Sequence, residues 1–174
     1  MARQLKLLGC LMLSNFLLWT TPSYAASKAL VVGIKDYNYW SRLQNSRNDA
    51  EDMAQALKNL GFDTTLIIRD EQGEVNHQRF KQAIENFAQT LQANDSVVFF
   101  YSGHGAAIPS DNNSTEGYLI ASNTPAVKRG NKQAIEQNAI ALKTIAETLS
   151  DKIDPDTGSV LFMIDACRNE VVNK

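Results

Sequence analysis

An α/β domain built on a mainly parallel sheet is predicted by three features of the sequence. Short apolar runs of strand length, at residues 29–34, 65–68, 96–101 and 160–164, are separated by longer segments. In three of those segments apolar residues recur at helical spacing. The runs lack the in-out alternation of a sheet with one wet face, so they read as strands covered on both sides. The resulting order, β-α-β-α-β-loop-α-β, places helices on both faces through right-handed crossovers. A chain of 174 residues, 44% hydrophobic and 21% charged, suits one such domain.

The first segment stands apart. Arg3 and Lys6 precede the apolar run Leu7 to Trp19, and Ser23-Tyr24-Ala25 supplies small residues at the two positions a signal peptidase reads. The pattern predicts a secretory signal peptide at residues 1–25, cleaved after Ala25, and hence a periplasmic or secreted protein. The run falls short of the about 20 residues of a comfortable span and no second one follows, so no stable membrane span is expected. An uncleaved anchor is the other reading. Arg3 and Lys6 are the only two of 17 basic residues that would leave, while all 19 acidic residues remain. A mildly acidic surface argues against nucleic acid as a partner.

After the run at 29–34 comes a polar, aromatic loop, residues 35–47. Ser46 and Asn48 are both possible N-caps, each with a carboxylate three residues on, and Ala50, Met53, Ala54 and Leu57 define a helix that Gly61 stops. The strand at 65–68 is followed by a helix marked by Phe80, Ala83, Ile84, Phe87 and Leu91, ending at Asn94-Asp95. Next is the strand at 96–101, then a polar interval over 102–117, a strand-like Tyr118-Leu119-Ile120 and an irregular stretch to about Gln137. Loops this long inside a compact domain are commonly functional or disordered. Leu142, Ile145, Ala146 and Leu149 give a third helix, and Asp154-Pro155-Asp156 with Gly158 turns the chain into the last strand.

That last strand runs directly into Asp165-Ala166-Cys167-Arg168. Cys10 would leave with the signal peptide, so Cys167 would be the sole cysteine of an exported chain, where paired cysteines are the norm. A buried spectator cysteine is the plain alternative. Its place just past a strand's C-terminal end, at the sheet edge where crevices form, favours a nucleophile. His104, in Ser102-Gly103-His104-Gly105, has the same relation to its own strand. In a parallel sheet the two would meet along one edge, with His104 drawing off the thiol proton. The backbone N–H groups of Gly105 and Cys167 would together hold an oxyanion. His77, the other histidine, lies in a polar helix approach and reads as a surface residue.

The set A-L-V-V-G-I with N-D-A, then F-F-Y-S-G-H-G, then M-I-D-A-C-R-N resembles the caspase-like cysteine peptidases, closest to bacterial metacaspase-like members. The likeness runs from about Lys28 to Asn169, and the two motifs in this order are far more specific than either alone. It implies a caspase-like three-layer α/β/α domain over residues 26–174, with His104 as general base and Cys167 as nucleophile of a thioester mechanism. Ala106 departs from the second glycine common there. The family's fold also continues with further strands, so the resemblance implies a sheet whose C-terminal strands lie beyond Lys174, ordered 2-1-3-4 up to there. Another chain or segment would then cover the exposed edge at Val160–Asp165. The competing class is a binding or regulatory module of the same fold without turnover.

Asp165 precedes Cys167 by two residues on an alternating strand, so it would share a face with the thiol and present a carboxylate beside it. Caspases that cut after aspartate carry glutamine here, whereas metacaspase-like enzymes have an acidic pocket, to which Asp49 and Ser102 would also contribute. Such a pocket takes Arg or Lys in a protein or peptide substrate. The plainer alternatives are that Asp165 pairs with Arg168 or caps a turn, and that Asp49 serves the helix dipole. No cofactor is expected. Many metacaspases depend on calcium, and Asp111, Asn113, Thr115 and Glu116 would be candidate ligands, but they lack an EF-hand pattern and also read as a plain polar loop. Lys128-Arg129-Gly130 is a solvated loop or a site of self-processing, and Asn112 to Thr115 carries glycosylation sequons.

Overall fold

The computed structural model describes residues 25–69, 71, 73–109, 114–126 and 132–170. The expected signal peptide up to residue 24, Asp111 to Asn113 and Lys128-Arg129-Gly130 lie outside them. Four strands are parallel: β1 (Ser27–Gly33), β2 (Asp63–Ile67), β3 (Ser96–Pro109) and β6 (Ser159–Glu170), in the spatial order β2-β1-β3-β6. The antiparallel β4 (Thr115–Leu119) and β5 (Ile140–Ala141) extend the sheet from the upper part of β3. The strand order is the one expected from sequence.

Continuous apolar runs form β1 and the first half of β3 because both faces are covered there, whereas the run in β6, expected to be covered on both sides, leaves Leu161 and Met163 exposed. Ala29 and Val31 of β1, with Val98 and Phe100 of β3, meet Ala50, Ala54 and Leu57 of α1 (Ser46–Asn59). Leu30 and Val32, with Val97, Phe99 and Tyr101, meet Phe80, Ile84 and Phe87 of α2 (His77–Thr90) and Ile145 and Leu149 of α4 (Leu142–Ser150). Full burial of each large aliphatic or aromatic side chain contributes about 1.5–3 kcal/mol, more than any single cap. The two faces therefore define three layers.

Helix ends differ from expectation in detail. The residue preceding α1 is Asn45, whose side chain makes no capping bond, and Ser46 Oγ donates instead to the Ile34 carbonyl at 2.8 Å. This ties the helix start to the end of β1. At α2, Asn76 does cap, accepting from the Arg79 N–H at 2.9 Å, and the helix ends at Thr90 rather than near Asp95. A further helix, α3 (Lys132–Asn138), occupies part of the stretch expected to be irregular.

The largest correction concerns β3 and β6. The polar interval expected from Ser102 onward is strand as far as Pro109, so His104 lies inside β3. Cys167 lies inside β6, not beyond its end. Gly103, Gly105, Ala106 and Ala107 carry little intrinsic strand preference, but pairing overrides it, on the β6 edge for Gly103 and on both edges for the other three. Along one edge β3 pairs with β6, and along the other it pairs first with β1, up to Ser102, and then with β4, from Gly105.

Among the described residues β6 has one partner strand, β3. Leu161 is 55% exposed, and Met163 and Ile164 are also exposed. No helix among the described residues is long and apolar enough to cross a membrane.

Candidate active site

The parallel register of β3 and β6 sets His104 opposite Cys167 and Ser102 opposite Asp165. Two residues 63 apart in sequence thus become neighbours on adjacent strands. The expected meeting occurs within the sheet rather than at its edge.

His104 is buried beneath the loop that follows β1. Its ring stacks obliquely against Tyr37, at 4.7 Å between centroids, and Trp40, at 5.5 Å. The loop is pinned in turn: the Trp40 indole N–H donates to the Thr124 carbonyl at 3.0 Å and the Asn38 N–H to the Ser122 carbonyl at 2.8 Å. His104 Nε2 lies 2.8 Å from the Ser41 carbonyl oxygen and 3.4 Å from Ser41 Oγ. A carbonyl oxygen only accepts, so this contact requires the proton on Nε2. Nδ1 is then the bare nitrogen, and it is buried with no hydrogen-bond partner among the described residues. An unpartnered buried acceptor is costly in a purely structural histidine.

The peptide units around His104 are held by two phenols. Its N–H donates to Tyr37 Oη at 2.9 Å, and Tyr101 Oη lies 2.8 Å from its carbonyl oxygen. Burial pushes the Tyr37 phenol up to about 12, and Tyr101 is also raised by burial, so both are neutral in the physiological range.

Asp49, Ser102 and Asp165 come together from α1, β3 and β6. Ser102 Oγ stands 3.4 Å from Asp49 Oδ2 and 3.4 Å from Asp165 Oδ2. One hydroxyl proton satisfies one carboxylate at a time. Among the described residues neither carboxylate has an ion-pair partner. Asp49 also lies in the first turn of α1, so the helix-dipole use coexists with this grouping.

Gly105 sits opposite Leu119 on one edge of β3 and Arg168 on the other. An amide flanked by strands on both sides reaches a substrate oxygen only where one strand yields. Of the calcium candidates, Thr115 and Glu116 lie in β4, and Glu116 accepts from the Tyr118 hydroxyl at 2.9 Å. Among the described residues no group of three acidic, histidine or cysteine side chains gathers as a metal site. His77 begins α2, away from the site. Sequence reasoning did not identify the Ser41 carbonyl, Tyr37, Trp40 or Tyr101. Their signal was the aromatic density of the loop at 35–47, which reads equally well as packing.

The fold and these paired motifs define a caspase-type α/β domain. The caspase-domain family model matches residues 26–174, and the chain belongs to that family of cysteine peptidases. It is 32% identical over 99 residues to Metacaspase-1A of Aspergillus niger, covering 52% of this chain and 24% of that protein. It is 34% identical, over the same shares, to Metacaspase-1 of Meyerozyma guilliermondii. The chain thus spans about a quarter of the length of these curated relatives. A crystal structure of a Geobacter sulfurreducens protein superposes with a TM-score of 0.60 at 20% identity, over 82% of this chain and 50% of the other. At that identity the likeness speaks for the fold.

Proposed function

We propose that this chain is an exported cysteine endopeptidase that cleaves protein or peptide substrates after Arg or Lys through His104 and Cys167. The observation that carries the reading is the register of these two residues, together with the bare Nδ1 of His104. With Nε2–H committed to the Ser41 carbonyl, Nδ1 takes the Cys167 thiol proton. The thiolate adds to the scissile carbonyl carbon, and the oxygen becomes an oxyanion. Collapse of that adduct expels the amine, which takes the proton from Nδ1, and leaves a thioester on Cys167. Water, deprotonated by the same nitrogen, then adds to the thioester and releases the acid and the thiol.

The Cys167 and Gly105 N–H groups are the oxyanion donors in this scheme, the latter once β6 yields beside it. Asp49 and Asp165, bridged by Ser102, bind the cationic side chain before the scissile bond. No metal or organic cofactor takes part in these steps. A strand partner covers the exposed β6 edge in the working protein, and residues 1–25 direct export.

One observation favours a second reading, a caspase-like binding or regulatory module without turnover: Gly105 is flanked by strands on both edges. Hydrolysis of fluorogenic peptides bearing Arg, Lys or Asp before the scissile bond separates the two. The peptidase reading expects cleavage after Arg and Lys that Cys167→Ala abolishes. Residual cleavage in Cys167→Ala, or cleavage after Asp, overturns it.

A further inference from the structure

The edge of β3 that serves β1 and then β4 has a break at the residue the chemistry needs. β1 runs alongside as far as Gly33, opposite Ser102, and β4 takes over at Leu119, opposite Gly105. Gly103 and His104 have no register partner between these two strands. A backbone N–H left open in a buried sheet would cost about 1–3 kcal/mol, and it would leave the strand free to shift there.

Two phenols and one backbone amide close the break. The His104 N–H donates to Tyr37 Oη at 2.9 Å, and the His104 carbonyl accepts from the Ile120 N–H at 3.0 Å and lies 2.8 Å from Tyr101 Oη. Gly103 is the residue that admits the phenols: a Cβ there would stand 2.7 Å from Tyr37 Oη and closer still to Tyr101 Oη. The Tyr37 ring meanwhile packs on the His104 imidazole. One residue therefore fixes both the peptide unit and the ring of His104.

We infer that Tyr37 is a positioning residue, supplying the hydrogen bond that β1 and β4 both leave open at His104 and thereby holding Nδ1 in line with the Cys167 position. This rests on the proposed role of His104 as general base. Tyr37 acts through the His104 peptide unit and ring, not on substrate itself. Small displacements of a catalytic base cost as much as about a hundredfold in rate, whereas a purely structural tyrosine would change stability alone.

The test uses the chain as wild type, Tyr37→Phe, His104→Ala and Phe87→Leu, the last a core change under α2 at a residue outside the proposed site. Readouts are kcat and KM for an Arg peptide and the pH profile of iodoacetamide alkylation at Cys167, all below the melting transition. The inference expects Tyr37→Phe to lower kcat at least about tenfold with KM unchanged, and to slow alkylation near neutral pH. Phe87→Leu, destabilised through the core, should keep both. If Tyr37→Phe does not fold, a monofluorinated tyrosine at position 37 keeps the shape while weakening the acceptor, and should give a smaller loss in the same direction. Wild-type kcat and alkylation in folded Tyr37→Phe or in the fluorinated chain, with His104→Ala inactive, overturns the inference alone. Unchanged alkylation and turnover in His104→Ala instead overturns the dyad on which it rests.

Discussion

His104 Nε2 stands 2.8 Å from the carbonyl oxygen of Ser41, on a loop 63 residues earlier in the chain. A backbone carbonyl can only accept, so the contact holds the neutral imidazole in one tautomer. In chain labelled with nitrogen-15 at histidine, the neutral His104 ring should show a protonated Nε2 and a bare Nδ1. A proton on Nδ1 would place the base on the wrong side of the ring.

The pair of carboxylates around Ser102 makes a charge-specific prediction. Removing one charge without changing shape, as in Asp165→Asn, should lower kcat/KM for Arg peptides about ten- to a hundredfold, the equivalent of about 1.5–3 kcal/mol for a charge-assisted bond. Asp49→Asn should act in the same direction. An Arg preference that survives both substitutions would assign these residues to structure.

At the opposite end of the sheet Asp95 is 1% exposed and joins the starts of three strands. Its carboxylate accepts from the Ala26 N–H at 3.0 Å and the Gln92 N–H at 2.9 Å and faces Lys28 Nζ at 3.2 Å, while its carbonyl accepts from the Ser159 N–H at 3.1 Å. Burial alone would push this carboxyl up, but the Gln92 and Ala26 amides and the Lys28 ammonium outweigh it and hold it below the usual value. A depressed folded-state pKa gives stability that is full above the unfolded value of about 3.9 and lost as pH falls through the lower, folded one. Asp95→Asn should therefore cost about 1–3 kcal/mol at neutral pH and flatten the acid limb of a denaturation series. An unchanged acid limb would show that other carboxylates govern it.

Gly33 ends β1 where α1 crosses closely. A Cβ there would meet the Ala50 Cβ at 2.5 Å and the Ser46 carbonyl oxygen at 2.8 Å, and neither is a flexible chain end. Gly33→Ala should cost about 1–3 kcal/mol by overpacking, and the same change at Gly61, whose added Cβ meets nothing within 4 Å, should act only through its φ of +88°. Urea denaturation of both variants checks this; a neutral Gly33→Ala would mean that α1 is free to move.

The predicted leader is checked by N-terminal sequencing of protein recovered from the exporting cell. Cleavage after Ala25 should give a chain starting at Ala26. Recovery of Met1 on the soluble product would contradict export by this route.

How much of this was legible in the sequence follows from what each residue type signals. The four parallel strands and three of the helices were readable, because runs such as Leu30 to Val32 and Val97 to Tyr101 are buried on both faces and must be apolar throughout. The upper halves of β3 and β6 were not, since Gly103, Gly105 and Ala106 carry no strand signal and only the neighbouring strands make them extended. His104 and Cys167 stood out by residue type and motif, and Asp49 and Ser102 by resemblance. Ser41 could not, because it acts through a carbonyl that every residue possesses. Tyr37 and Trp40 were visible as an aromatic loop, yet nothing in their spacing pointed 67 residues downstream to His104.

The most direct test of the proposed dyad and pocket is covalent capture. The chain is incubated with a peptidyl acyloxymethyl ketone carrying Arg at its reactive end and, separately, with the Asp analogue, and the adduct is mapped by mass spectrometry. The account predicts a single adduct on Cys167 with the Arg probe, slowed at least about tenfold in His104→Ala, and little with the Asp probe. Equal labelling by both probes, or labelling of Cys167 that does not respond to loss of His104, would contradict it.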